Sequence, residues 1–136
     1  MTTIVVGYVP KPEGRAALRR AAEEARLRGA QLIVINSARG GRDFDVDDAV
    51  ESSGELEKVR DQLADVGVEA EVRQLVRGLD VAEDLISVAE ETSADFIVIG
   101  LRRRSPVGKL ILGSNAQRIL LDSPCPVLCV KASESD

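Results

Sequence analysis

Five short runs of aliphatic residues alternate along this chain with four segments of helical periodicity. The predicted strands are residues 4–8, 31–37, 68–76, 95–99 and 126–130, and the predicted helices are residues 13–28, 49–65, 80–92 and 114–122. Continuous apolar runs such as Leu32-Ile33-Val34-Ile35 are typical of strands that are buried on both faces. This alternation, with short connections, predicts an α/β fold in which helices flank a parallel sheet.

The third predicted strand has a different pattern. Residues 68–73 alternate apolar and charged side chains, which indicates one buried and one exposed face. A half-exposed strand in an otherwise buried sheet is expected at an edge.

Length and composition restrict the class of protein. The 136 residues predict a single domain over residues 1–136. The net charge of −5 and the 2% aromatic content argue against a nucleic-acid partner, because neither a basic surface nor a base-stacking platform is available. No apolar run approaches the ~20 residues of a membrane span, and the N-terminus lacks a basic signal-peptide region. We therefore expect a cytoplasmic protein without a membrane partner.

Two cysteines, Cys125 and Cys129, lie near the end of the chain. In a strand they would be ~13 Å apart, too far for a disulfide bond. The chain has no histidine, and two thiols alone make a poor zinc site. We therefore expect both cysteines to be small buried core residues.

A basic segment follows the fourth predicted strand. Residues 100–118 contain no acidic residue, and their basic residues are Arg102, Arg103, Arg104, Lys109 and Arg118. Within the segment, Gly113-Ser114 precedes a predicted helix, and a helix N-terminus offers unpaired N–H groups to an anion. The segment therefore predicts an anion site, with a nucleotide phosphate as the best candidate. A solvated loop whose charges serve solubility is the alternative.

Parallel α/β sheets bind ligands outside the carboxyl ends of their strands, where the strand order reverses. In this chain, those ends are Tyr8-Val9-Pro10 after the first strand and Gly100 after the fourth. We expect the ligand between them.

Four blocks of the sequence, taken in their order along the chain, match the pattern of a known protein family. They are Ile4-Val5-Val6-Gly7, Ala94-Asp95-Phe96-Ile97-Val98-Ile99-Gly100, Gly113-Ser114, and Ser123-Pro124-Cys125-Pro126-Val127-Leu128-Cys129-Val130. Together they resemble the universal stress protein family over nearly the whole chain. The resemblance implies a Rossmann-type sandwich of the adenine nucleotide alpha hydrolase kind, with five parallel strands in the order 3-2-1-4-5. It also implies a homodimer through the last strand, and the implied interface residues are Val127, Leu128, Cys129 and Val130.

Nucleotide-binding members of that family carry the motif G-x2-G-x9-G-[ST]. In this chain Gly100 takes the first position and Gly113-Ser114 the last, but Arg103 replaces the second glycine. The aspartate that such members place after the first strand is replaced by Val9.

The resemblance implies a nucleotide site that these departures alter. Its residues are Val9, Pro10, Asn36, Gly100, Arg102, Arg103, Gly113, Ser114, Asn115 and Ala116. Arg102 and Arg103 would pair with phosphate oxygens, the start of the last helix would donate N–H groups, and the segment from Asn36 would contact the adenine.

Three functions follow from these observations. The first is a regulatory stress-response dimer that binds ATP or a related adenine nucleotide together with Mg²⁺. The second is a stress-associated dimer without nucleotide, whose basic loop contacts an acidic partner or another anion; Val9 and Arg103 favour it. The third is a slow ATPase or nucleotide-transfer enzyme. No catalytic residue is assigned, because a chain without histidine has no Ser–His or Cys–His pair.

Overall fold

Strands and helices alternate in the computed structural model, which describes residues 2–9, 11–37, 46–75, 81–101 and 114–132. The elements are β1 Thr3–Gly7, α1 Pro12–Arg28, β2 Gln31–Ser37, α2 Val46–Asp65, β3 Ala70–Leu75, α3 Val81–Thr92, β4 Phe96–Leu101, α4 Ser114–Asp122 and β5 Val127–Lys131. The five strands form one parallel sheet in the order β3-β2-β1-β4-β5. The predicted α/β class and strand order are therefore confirmed.

Most predicted boundaries differ from the observed ones by one or two residues, and strand β3 begins at Ala70 where the sequence predicts residue 68; the largest difference is at the start of α2. Helix α2 begins at Val46, before the predicted residue 49. Strand β4 continues to Leu101, past the predicted residue 99. Gly100 therefore lies within the strand, in register with Val130 of β5.

Helices cover both faces of the sheet. Side chains such as Ile4 and Leu32 pack with α1 and α2, whereas their neighbours Val5 and Ile33 pack with α3 and α4. All four side chains are fully buried, and burial of each contributes about 1.5–3 kcal/mol. The central strands β1, β2 and β4 consequently need apolar residues at consecutive positions, because both of their faces are covered.

Glycine ends α1, as its position in the sequence predicts. Gly29 has φ +62°, a left-handed conformation that glycine adopts without strain. Its backbone N–H donates to the carbonyl of Arg26, and the next N–H, of Ala30, donates to the carbonyl of Ala25 at 2.9 Å. These bonds satisfy the last helical carbonyls and direct the chain into β2.

Strand β3 lies at one edge of the sheet, as its alternating pattern predicts. Its Val72 packs against the core, and Glu71 is exposed. The Arg73 guanidinium is hydrogen-bonded to Glu71 at 2.7 Å, which lowers the pKa of that carboxyl. The exposed face of this edge is thus charged.

The two cysteines are free, and neither is fully buried. The prediction of small buried core residues is therefore confirmed only in part; Cys129 lies on β5, the other edge strand, only one of whose flanks is covered. Both side chains pack against the core between the sheet and the helices α3 and α4. Partial burial raises the pKa of the Cys129 thiol.

None of the helices in the described ranges combines the length and the apolar character that spanning a bilayer would require.

Candidate functional site

A cavity of about 130 Å³ lies at the carboxyl ends of β1 and β4. The two strands are neighbours in the sheet. The helix after β1, α1, covers one face of the sheet, and the helix after β4, α4, covers the opposite face. The strand order reverses at this point, which is where α/β sheets bind ligands. The lining residues are Gly7, Tyr8, Val9, Glu13, Gly14, Ile35, Val81, Leu85, Ile99, Gly100, Asn115, Ala116 and Ile119.

The cavity brings together four of the residues that the sequence assigns to a nucleotide site. Val9 comes from the end of β1, Gly100 from β4, and Asn115 and Ala116 from the first turn of α4. These residues are distant in the chain, and the switch in strand order makes them neighbours.

Other predicted site residues lie elsewhere. Ser114 is exposed at the start of α4 and is not part of the lining. Asn36 is buried near the carboxyl end of β2, and its neighbour Ile35 lines the cavity in its place. Successive strand residues point to opposite faces, so Asn36 faces the α1 and α2 side. The remaining predicted residues, Pro10, Arg102, Arg103 and Gly113, lie outside the described residues.

Two glycines bring the first turn of α1 onto the ends of the strands. A Cβ atom at Gly100 would collide with the backbone carbonyl oxygen of Glu13, and one at Gly14 would collide with the backbone of Val9. Glycine at both positions allows backbone to contact backbone. Gly100 therefore has a packing role in this structure, in addition to the ligand contact that the sequence suggests.

Several residues that line the cavity are not among the site residues predicted from the sequence. Val81 and Leu85 of α3 and Ile119 of α4 are apolar core positions of their helices, and helical periodicity by itself assigns them only to a buried face. Glu13 is the one acidic or basic residue among the described lining residues. Gly14 follows it inside the helical pattern, and a glycine at such a position is a sequence signal that another part of the backbone packs closely there.

Arg118, the last basic residue of the 100–118 segment, belongs to a different contact. Its Nη2 donates to Glu83 Oε1 of α3 at 2.5 Å, and its Nε lies 3.9 Å from Asp122 Oδ2. The side chain joins α4 to α3 and does not line the cavity. The described part of the basic segment thus contributes no positive charge to the cavity wall.

Neither metal ligands nor a second groove compete for the site. The described ranges contain no group of three or more side chains suited to holding a metal ion. A larger groove, of about 660 Å³, runs between α1 and α2 beside residues such as Leu18 and Leu63. It shares no lining residue with the cavity and lies away from the carboxyl ends of β1 and β4, so the functional assignment rests on the smaller cavity.

The fold and the cavity define a doubly wound α/β protein with a ligand crevice at the switch point between β1 and β4. The chain belongs to the universal stress protein family, whose match covers residues 1–131.

Three similar proteins illustrate the relationship. A universal stress protein of Mycolicibacterium smegmatis is 49% identical over 128 residues, covering 94% of this chain and 96% of its own. A universal stress protein structure from Archaeoglobus fulgidus has a TM-score of 0.84 at 40% identity, covering 96% of this chain and 99% of its own. A universal stress protein structure from the same organism, in complex with dAMP, has a TM-score of 0.79 at 35% identity, covering 96% and 98%.

Proposed function

We propose that this chain is a regulatory stress-response protein that binds an adenine nucleotide at the carboxyl ends of β1 and β4. The observation that carries the proposal is the convergence of Val9, Gly100, Asn115 and Ala116 on one cavity at the switch point. The similar Archaeoglobus fulgidus protein, solved with dAMP, supports an adenine nucleotide as the ligand. We further propose a cytoplasmic, single-domain protein.

The cavity suits one part of a nucleotide. Its volume of about 130 Å³ is below the ~300–1,000 Å³ of pockets that enclose whole small molecules. The lining is mainly apolar, and Asn115 supplies a polar side chain at the start of α4. We assign the phosphate to the side of Gly100 and Asn115, where the helix N-terminus offers N–H donors.

The segments that follow β4 and β2 in the chain would make the remaining contacts with the nucleotide. Arg102 and Arg103 come directly after β4 and would pair with phosphate oxygens. The segment after Asn36 would contact the adenine. Because the Val9 side chain has no acceptor, the ribose hydroxyls lose the contact that an acidic side chain would provide. Mg²⁺ would be held chiefly by the phosphates.

We also propose a homodimer through β5. This strand lies at a sheet edge, and Val127, Leu128, Cys129 and Val130 are only half buried. An apolar edge strand with free backbone groups is a template for pairing with a second copy.

Isothermal titration with AMP and with ATP, each with and without Mg²⁺, tests the nucleotide proposal. The informative variant is Ala116→Leu, which adds bulk to the cavity wall, and we expect it to weaken nucleotide binding at least tenfold. Ala64→Leu makes the same change on the exposed surface of α2 and serves as the control. Thermal unfolding of both variants checks that they fold.

Two outcomes would reject the nucleotide site. Equal affinity of Ala116→Leu and the parent protein would place the nucleotide elsewhere. The absence of binding to the parent protein would favour the second function, in which the basic segment contacts an acidic partner; Val9 is the observation that favours it.

A further inference from the structure

The groove between α1 and α2 is large enough to hold a ligand of its own. Helix α1 packs mainly over β1 and β4, and α2 packs over β3, so a groove of about 660 Å³ remains between the two helices. This volume lies within the ~300–1,000 Å³ of sites that bind small molecules. The groove shares no lining residue with the cavity at β1 and β4. A ligand in it would therefore be independent of the proposed nucleotide.

Apolar side chains line the groove, and two of them are exposed. Leu18 and Leu63 are buried, whereas Leu27 is 75% exposed and Val66 is 47% exposed. Among the described residues, only four large apolar side chains are exposed, and two of the four line this groove. Exposed apolar surface that is gathered at one groove marks an interaction site. We therefore expect the ligand to have an apolar body.

The groove also has a positive charge that no acidic side chain neutralises. Arg26 lines it and has no ion-pair partner within the described ranges. Glu23 is the one acidic residue of the described lining, and its carboxylate accepts a hydrogen bond from Arg20 at 3.4 Å. The free cation beside an apolar surface favours a ligand that carries a negative charge.

Helical geometry places this cation relative to the apolar surface. Leu18, Ala22 and Arg26 are four residues apart on α1, so they form one row along the helix. Side chains on a helix lean towards its N-terminus, which directs the stem of Arg26 over the turn that contains Ala22. Because Ala22 is small, space for a ligand remains beside that stem.

We propose that the groove binds an amphipathic carboxylate, a free medium-chain fatty acid, whose carboxylate pairs with Arg26. Arginine and a carboxylate form two parallel charge-assisted hydrogen bonds. The alkyl chain would cover Leu27, Leu63 and Val66 and remove their surface from water. The lining of α1 extends over residues 18–27, about 13–14 Å along the helix axis, which is comparable with the extended chain of dodecanoate.

Isothermal titration of the full chain with octanoate, decanoate and dodecanoate, below their micelle-forming concentrations, tests the proposal. Decyltrimethylammonium has an alkyl chain matched to decanoate and a positive headgroup. Arg26→Gln removes the charge, and its control is Lys58→Gln, at an exposed position of α2 outside the lining. Ala22→Leu fills the groove, and its control is Ala64→Leu, at another exposed position of α2. Thermal unfolding checks that each variant folds.

We expect affinity to increase with chain length, by up to about fourfold for each CH₂ group that is buried. Arg26→Gln should weaken dodecanoate binding roughly fivefold to tenfold, and Ala22→Leu should weaken it more than tenfold. Decyltrimethylammonium should bind more weakly than decanoate, because its headgroup is repelled by Arg26. Both control variants should match the parent protein.

Three results would overturn the proposal and leave the nucleotide function untouched. The first is a parent protein that binds none of the carboxylates. The second is an Arg26→Gln variant with lower thermal stability and unchanged dodecanoate affinity, which would mean that Arg26 serves the negative end of α1. The third is a parent assembly larger than a dimer that Leu27→Ser dissociates in sedimentation equilibrium, because a second copy would then cover the groove.

Discussion

At the scale of single residues, the absence of a side chain has different consequences at different glycines. A Cβ atom at Gly100 would meet the backbone of Glu13, which is held in a helix and cannot rotate away. A Cβ atom at Gly7 would lie 3.0 Å from Leu85 Cδ1, the end of a flexible side chain that can shift. A Cβ atom at Gly54, within α2, would meet nothing within 4 Å.

These surroundings predict opposite effects of the same substitution. Gly100→Ala should destabilise the fold by about 1–3 kcal/mol, because α1 must move away from β4. Gly54→Ala should stabilise it by about 0.5–1 kcal/mol, because alanine loses less conformational entropy in a helix. Urea unfolding of both variants measures the difference. A Gly100→Ala variant as stable as the parent would show that α1 shifts without cost.

At the scale of elements, a reciprocal pair of hydrogen bonds joins the amino ends of β1 and β4. The backbone N–H of Thr3 donates to Asp95 Oδ2 at 2.8 Å, and the backbone N–H of Asp95 donates to the carbonyl of Thr3 at 2.8 Å. The two strands whose other ends form the cavity are therefore aligned by a side chain as well as by the sheet ladder.

Removal of this side chain should weaken the pairing of the strands. Asp95→Ala leaves the Thr3 N–H without its acceptor, and we expect a loss of about 1–3 kcal/mol. Asp95→Asn keeps a carbonyl oxygen and should lose less. The exposed Glu69→Ala serves as a control and should stay within about 0.5 kcal/mol of the parent. Equal urea midpoints for Asp95→Ala and Glu69→Ala would contradict the role of the bond.

At the scale of the whole molecule, the two sheet edges differ. The β3 edge carries the charged side chains Glu71 and Arg73, which discourage pairing with another chain. The β5 edge is mainly apolar. The Ile97 N–H donates to the carbonyl of Pro126 at 3.0 Å, and alternate residues of a strand face the same neighbour. The N–H of Val127 therefore points to the open edge.

This geometry allows the proposed dimer to be tested without disturbing the sheet. Val127→Pro removes a donor from the open edge and keeps the hydrogen bonds to β4, so we expect a shift from dimer to monomer. Val127→Ala shortens the same side chain, keeps the N–H, and should remain dimeric. Sedimentation equilibrium distinguishes the two states. A parent protein that is monomeric, or a Val127→Pro variant that is still dimeric, would contradict pairing through β5.

Local patterns in the sequence predict the elements and the fold class. Aliphatic runs such as Leu32 to Ile35 are typical of strands covered on both faces, and Gly29 ends a helix through its own backbone freedom. These signals are local, so they can be read from neighbouring residues. The strand order followed from the resemblance of the whole chain to the universal stress protein family, and the sheet confirms it.

The surroundings of the cavity depend on tertiary packing, which local patterns do not predict. It placed the first turn of α1 against Gly100, turned Arg118 towards Glu83, and put Ile35 at the cavity in place of Asn36. Each of these contacts joins residues that are far apart in the chain or depends on which face of the sheet a side chain occupies. Such contacts depend on how helices pack over the sheet, which periodicity does not specify, and they put the backbone carbonyl of Glu13 against Gly100 at the edge of the site.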